Sequence, residues 1–286
     1  MKIRTPAKIN PQLYILSQCD DGFHELYMHM VPVSLFDTLS FSQNNKQELK
    51  FRMNGASFSA TPEENLVVRA IRSFEKAGGI TASLDVVLEK TIPSGAGLGG
   101  GSGNTAGTLK VLNHIYRESS SAEGLLPPET LAELALELGS DVPFFLEPTP
   151  SEIRGRGEKI NPLQEYPKFY VVIIKPPLSI PTQEAYNNCQ PEVHTTFPEV
   201  KSFDDIKNHL YNQFETSLLA QYPVLSELKS LLLQNGAFGA LVSGSGSAVF
   251  GVFNNKKQQY HAFINLSCLH IGKIFSCETL ATHRYY

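Results

Sequence analysis

Eleven consecutive residues, Pro93-Ser94-Gly95-Ala96-Gly97-Leu98-Gly99-Gly100-Gly101-Ser102-Gly103, include six glycines. They lie between a strand-like run over 84–90 and a helix-like run over 104–116. Glycine lets backbone N–H groups converge on an anion at close range. The start of the following helix adds unpaired donors and the positive end of its dipole. Together these make a phosphate cradle. No Lys follows the glycines as in a Walker loop. Gly95, Gly97 and Gly100 match G-x-G-x-x-G formally, but no acidic residue closes a second strand as in dinucleotide-binding folds. The H-R-D and D-F-G motifs of protein kinases are absent. The residues alone therefore point to a nucleotide-phosphate loop of another kind, with a tight-turn linker as the bland alternative.

Other groups could carry chemistry. Asp141 follows a helix stop and precedes the apolar run Val142-Pro143-Phe144-Phe145-Leu146, so it is either a helix cap or a poised base. Lys8 stands in the apolar strand Pro6-Ala7-Lys8-Ile9-Asn10, where it either faces solvent or needs a partner. Asn10 shares its face if the segment is a strand. Asp20-Asp21-Gly22-Phe23-His24 reads as a turn carrying an aromatic and a His. Ser243-Gly244-Ser245-Gly246-Ser247 is a hairpin turn or a second anion nest. His24 and His29 are five residues apart, one more than the zincin spacing, and the other His show no ligand pattern.

The elements that must position these groups alternate in type. Strands are expected near 7–16, 31–42, 49–58 and 84–90. A helix after Thr61 has a capping box from Thr61 and Glu64 and an apolar face of Leu66, Val67, Ala70, Ile71, Phe74 and Ala77. A further helix is expected over 128–138, ending at Gly139. Beyond about Gly157 the pattern is strand 169–175, helices ending with 223–234, strands 238–242 and 248–253, helix 256–266 and strand 273–280. Without its insertion this is the β-α-β-β-α-β order of a ferredoxin-like unit. The 286 residues suffice for two domains, and 42% hydrophobic with 18% charged residues describes a folded chain. A formal net charge of −4 gives no basic excess for nucleic acid or an anionic membrane. No signal peptide or membrane-length apolar run is read. Scattered Cys19, Cys189, Cys268 and Cys277 lead us to expect a reduced, cytoplasmic protein without a zinc knuckle.

The ordered set Pro6-Ala7-Lys8-Ile9-Asn10, Gly22-Phe23-His24, the run 93–103, Gly139-Ser140-Asp141-Val142-Pro143-Phe144-Phe145 and Ser243-Gly244-Ser245-Gly246 resembles the GHMP kinases. The likeness runs from near the N-terminus to about Phe253. Within that family the first and fourth blocks are similar to the branch whose acceptor carries cytidine diphosphate, more than to homoserine or mevalonate kinases. The resemblance implies an α+β fold of two domains. Residues 1–156 would form an ATP-binding domain like the second domain of ribosomal protein S5, and 157–286 a ferredoxin-like domain. It implies ATP with Mg²⁺ and phosphoryl transfer to a hydroxyl of a small cytidine diphosphate substrate in isoprenoid-precursor biosynthesis. Nucleic-acid and membrane partners are not expected, and a monomer is.

Carried over residue by residue, Asp141 would be the base and Lys8 its cationic neighbour. Residues 93–103 would wrap the phosphates, with Ser102 as the hydroxyl near Mg²⁺. Asn65 and Lys90 would lie near the nucleoside. Asn10 and His24 would fix the acceptor, His24 reading cytosine, and Phe23 and Tyr186 would sandwich the cytosine ring. Gly244 and Ser245 would line the acceptor side. Phe23 stands where the family usually has Tyr, Gly103 where Ser is frequent, and Ser140 where Ala is found. A GHMP kinase for another acceptor is opposed by Phe23 and His24, which suit a base. A nucleotide sensor without turnover is opposed by intact Lys8, Asp141 and Ser102.

Overall fold

A computed structural model describes residues 1–20, 22–46, 48–55, 61–119 and 126–283. Asp21 of the expected turn, and residues 56–58 of the strand expected over 49–58, lie outside them. The chain opens on two long antiparallel strands, β1 (Lys2–Gln18) and β2 (His24–Gln43). Their pairing shifts between Ile9 and Gln12, where Asn10 and Pro11 form a bulge. Pro lacks the ladder N–H, and a bulge tolerates that loss. Next come β3 (Leu49–Asn54), α1 (Leu66–Gly78), β4 (Leu84–Glu89), α2 (Gly100–Ser119), α3 (Pro128–Leu138), α4 (Val142–Leu146), β5 (Ser151–Gly155) and β6 (Lys159–Pro162). The first sheet runs β3-β4-β2-β1. β2 pairs with β4 along its second half and with β5 along its first, and β6 pairs with β5.

Two expected helix starts move. Glu64 does accept the Thr61 N–H (3.0 Å), but Pro62–Glu64 is a single 3₁₀ turn. The α-helix begins at Leu66 under an Asn65 cap, whose Oδ1 accepts the Val67 N–H (2.9 Å). Its expected apolar face is buried through Val67, Ala70, Ile71 and Phe74. α2 starts at Gly100, not at 104, so the last glycines of the run form a helical turn. Glycine is a poor helix former, but close packing requires it here. A Cβ on Gly103 would lie 3.1 Å from the Pro6 carbonyl oxygen, and one on Gly101 would lie 3.3 Å from Leu66.

The second half contains β7 (Tyr170–Lys175), α5 (Thr182–Asn187), α6 (Phe203–His209), β8 (Tyr211–Asn212), α7 (Glu215–Gln221), α8 (Pro223–Gln234), β9 (Gly239–Val242), β10 (Val249–Phe253), α9 (Lys256–Ser267) and β11 (Lys273–Glu278). Its antiparallel sheet has the order β11-β7-β10-β9, the ferredoxin-like arrangement expected. Because β6 still pairs in the first sheet, the change of sheet falls between Pro162 and Tyr170, beyond the division read at 156/157. β8 returns to the first sheet and pairs in parallel with β1 at Gln12 and Leu13.

Alternation along β7 explains the layering. Val172 and Ile174 pack with Leu228, Leu232, Ala262 and Leu266 of α8 and α9. Val171 and Ile173 point the other way and share a core with Ile9, Val31, Val33, Phe250 and Val252. The two sheets therefore bury one face against each other. The glycine run joins this contact. Gly97 has φ +70°, and a Cβ on it would lie 1.9 Å from the Ser243 carbonyl oxygen. Ser243 Oγ donates to the Gly97 carbonyl (3.0 Å) and the Ala248 N–H to the Ala96 carbonyl (3.2 Å).

This contact gives a paired prediction. Gly97→Ala adds a backbone clash to a left-handed φ and should cost roughly 2–5 kcal/mol. Gly79 has φ +60° with nothing within 4 Å of its Cβ, so Gly79→Ala should cost only about 1–2 kcal/mol. Urea unfolding of both variants checks the difference, and equal losses would contradict the docking role.

Acid stability gives a second prediction. His29 is 2% exposed on β2, with the Tyr27 hydroxyl 3.2 Å from Nε2 and the Tyr166 hydroxyl 3.5 Å from Nδ1. Burial lowers its pKa to about 4, against a weaker opposing pull from Glu152. The unfolded chain therefore takes up a proton near pH 6.5 that the folded chain refuses. The contribution is complete above that pH and is lost as pH falls towards 4. Between pH 7.5 and 4.5 it should amount to roughly 2–3 kcal/mol. His29→Gln should show that much less acid sensitivity in urea unfolding. An unchanged pH dependence would overturn the assignment.

Candidate active site

Lys8 is the centre of the site. It lies on β1 just before the bulge and is 4% exposed, so the solvent-facing alternative does not hold. Its Nζ donates to Asn10 Oδ1 (2.6 Å) and lies 3.6 Å from Asp141 Oδ2. Asn10 is fully buried and its Nδ2 donates to the His29 carbonyl (3.2 Å). The Lys8 backbone N–H donates to the Leu98 carbonyl (2.9 Å), tying β1 to the glycine run.

Asp141 reaches this ammonium from the opposite element. α3 stops at Gly139, and Asp141 takes the cap position of α4 with helical dihedrals (φ −83°, ψ −13°). Its side chain makes no capping hydrogen bond. Pro143 in the first turn has no N–H to satisfy, so the carboxylate is spared that duty. The side chain is 32% exposed and lines the cleft. Of the two readings open from sequence, the cap is excluded.

The turn between β9 and β10 closes the third side. Gly244 has φ +54°, and a Cβ on it would lie 3.3 Å from Lys8 Nζ and 3.4 Å from Asn10 Oδ1. Asn212 on β8 donates to the carbonyls of Val242 and Gly244 (2.8 Å each), so a strand beside β1 holds the turn. Ser245 Oγ lies 3.2 Å from Thr182 Oγ1.

The glycine run wraps the same space, but phosphate access is not what demands its glycines. Gly95, Gly97 and Gly99 all have positive φ. A Cβ on Gly95 would lie 2.9 Å from Ser179 Oγ, and one on Gly99 would lie 2.7 Å from the Phe145 ring and 3.0 Å from Lys8 Cγ. On Gly100 it would lie 2.8 Å from Ile92 and 3.0 Å from Lys90 Nζ. Protein atoms already fill the positions a side chain would take. Ala96 and Leu98 are buried in the core between the sheets. Ser102 sits in the first turn of α2 and lines the cleft.

Lys90 is engaged by a residue the sequence reading missed. Its Nζ donates to Asp37 Oδ2 (2.7 Å) and to the Ile92 carbonyl. Burial pulls its pKa down, and Asp37 opposes that. Asp37 is fully buried on β2. Its Oδ1 accepts the N–H groups of Thr91 and Ile92 (2.7 Å each), and its Oδ2 accepts Asn104 Nδ2 (2.9 Å). The network thus joins β2, the entry to the glycine run and the first turns of α2. A lone carboxylate inside the apolar run Leu35-Phe36-Asp37 was the available signal.

At the other end the aromatic sandwich expected from Phe23 and Tyr186 is not formed. His24 stacks on Tyr186 instead, with centroids 4.9 Å apart and planes inclined by 27°. Phe214 meets the edge of Tyr186 at 4.9 Å. Phe23 is 50% exposed, and the Arg156 guanidinium lies 4.6 Å from its ring centroid. Burial lowers the His24 pKa. Burial, with the Asp141 carboxylate adding to it, raises that of Tyr186.

All of these groups face one cleft of about 870 Å³. Lys8, Asn10, Phe23, His24, Asn65, Lys90, residues 93–102, Asp141, Tyr186, Gly244 and Ser245 line it. Gly103 does not; it packs beneath α2 against β1 and Phe145. Its reading as a nucleotide contact is therefore corrected. Among the described residues no group of three or more His, Cys, Asp or Glu could hold a metal ion. No helix among them is long and apolar enough to cross a membrane. All four cysteines are free thiols.

Comparison with known proteins agrees with this architecture. Residues 65–147 match the family model of the GHMP kinases N terminal domain, and 196–264 that of the GHMP kinases C terminal domain. The 4-diphosphocytidyl-2-C-methyl-D-erythritol kinase of Thermodesulfovibrio yellowstonii is 36% identical, over 87% of this chain and 88% of that protein. The enzyme of the same name from Syntrophotalea carbinolica is 35% identical over 96% of each chain. A crystal structure of 4-(cytidine 5'-diphospho)-2C-methyl-D-erythritol kinase superposes with a TM-score of 0.82 at 31% identity, covering 98% of this chain and 99% of that one. A homoserine kinase from Cytophaga hutchinsonii shares the fold at TM-score 0.70 and 17% identity, covering 99% and 96%. The chain therefore belongs to the 4-diphosphocytidyl-2-C-methyl-D-erythritol kinase family of the GHMP kinases.

Proposed function

We propose that this kinase transfers the γ-phosphoryl group of ATP to the 2-hydroxyl of the methylerythritol moiety of 4-diphosphocytidyl-2-C-methyl-D-erythritol. The observation that carries the reading is the meeting of Lys8 and Asp141 at the junction of the glycine run and the Gly244 turn. Phosphoryl transfer needs positioning and charge neutralisation more than covalent help. Asp141 is uncapped and faces the cleft, so it can take the proton of the acceptor hydroxyl. Lys8 stabilises the alkoxide charge that develops. Asn10 holds the ammonium in place and is itself anchored on the His29 carbonyl. Residues 93–102 receive the phosphates at the start of α2, where backbone donors and the helix dipole favour anions.

Mg²⁺ fits this donor set. It retains waters and takes few protein ligands beside substrate phosphates, and no carboxylate cluster competes for that role among the described residues. Ser102 would hold it, and its charge would neutralise the phosphates. The aromatic end with Phe23, His24 and Tyr186 suits a base, which homoserine and mevalonate lack. For a cytosine to lie against Tyr186, His24 must move off that ring.

Two measurements test the reading. Coupled ATP turnover should proceed with the cytidine diphosphate acceptor and stay at background with homoserine or mevalonate. Turnover with either of the latter alone would refute the proposed acceptor. Asp141→Asn should lower kcat by about 10²–10⁴ while ATP affinity is kept. Lys8→Ala should lower kcat by about 10²–10³, and the double variant should lose less than the product of the two. Full turnover in both single variants would remove the catalytic assignment.

A further inference from the structure

Arg156 stands on the rim of the cleft at the tip of the β5–β6 hairpin, between the paired residues Arg154 and Lys159. The tip is tightly held. Gly155 and Gly157 have φ of +71° and +130°, and the Arg156 N–H donates to Glu158 Oε2 (2.7 Å). A Cβ on Gly157 would lie 2.5 Å from the carbonyl oxygen of Ser140, the residue before Asp141. The backbone of the tip thus rests on the catalytic segment. Its guanidinium lies 4.6 Å from the centroid of Phe23. One side chain therefore spans from the hydroxyl end of the cleft to the aromatic end.

The acceptor's chemistry requires something in that interval. If the base lies at the aromatic end and the hydroxyl at Lys8 and Asp141, the diphosphate that joins them passes between. Lys8 is turned onto Asn10 and Asp141, and Lys90 onto Asp37. The geometry points to Arg156 as the specificity-determining residue that binds the acceptor's diphosphate. Guanidinium is always charged and its planar fork matches two phosphate oxygens. The ring of Phe23 positions it by a cation–π contact. Lysine would keep the charge and lose the fork. The assignment rests on the proposed acceptor, because it needs a nucleoside diphosphate and not a free alcohol.

Calorimetric titration of the full chain with cytidine diphosphate and with cytidine tests it. The native chain should bind the diphosphate more tightly than the nucleoside. Arg156→Ala should weaken diphosphate binding about 10- to 100-fold, the scale of a hydrogen bond to a charged group. Cytidine binding should change by less than about threefold, and ATP affinity should be unaltered, which confirms the fold. Arg156→Lys should recover part of the loss. If Arg156→Ala keeps the diphosphate preference, or weakens both ligands equally, Arg156 does not read the diphosphate and the inference is overturned. If the native chain binds neither ligand, the proposed acceptor is wrong and the inference falls with it.

Discussion

A buried ammonium organises this molecule. Removing a lysine charge from water costs several kcal/mol even after relaxation. The attraction of a carboxylate about 4 Å away returns roughly 4 kcal/mol at the effective dielectric of a protein surface. Lys8 and Asp141 therefore do little for net stability, and their value lies in holding opposite charges at a fixed point beside a cleft. The surroundings follow from that need. Asn10 supplies an oxygen to the ammonium, the bulge at Pro11 follows directly on that oxygen's strand, and Gly244 leaves out the side chain that would crowd it.

The same point is where the two sheets meet. Lys8 belongs to the first sheet, Gly244 to the second, and Leu98 bonds the Lys8 backbone from the loop between them. The Gly97–Ser243 contact and the Asn212 bonds hold these parts against each other. The active site is thus no cavity inside one domain. It is a seam, and a shift of either sheet would alter the Lys8–Asp141 geometry before it altered the core of either half. The apolar face shared by Ile9, Val31, Val171 and Phe250 keeps the seam in register.

Much of this was legible in the sequence, for reasons that can be named. Lys8 in an apolar strand and Asp141 after a helix stop are each costly unless paired, so their chemistry showed through. The ferredoxin-like order was legible because the hydrophobic period changes from two to 3.6 at each element. The individual glycines were misread. Their neighbours come from distant sequence, as with the Ser243 hydroxyl that bonds the Gly97 carbonyl. A sequence shows that a side chain is absent but not which atom excludes it. Asp37 and Asn212 were missed because their partners are equally remote. The start of α2 was misplaced because glycine's weak helix propensity pointed away from a helix that tertiary packing enforces. At the aromatic end the right residues were collected but paired wrongly, since adjacent Phe23 and His24 cannot be told apart by spacing.

The central claim is that Lys8 and Asp141 converge on the hydroxyl that is phosphorylated. The most direct measurement is a crystal structure of this chain with its acceptor and a non-hydrolysable ATP analogue. The account predicts the acceptor 2-hydroxyl oxygen within about 2.6–3.2 Å of both the Asp141 carboxylate and Lys8 Nζ, with the terminal phosphate facing it from residues 93–102. A hydroxyl oxygen more than about 6 Å from both groups, beyond the reach of a direct charge interaction, would contradict it.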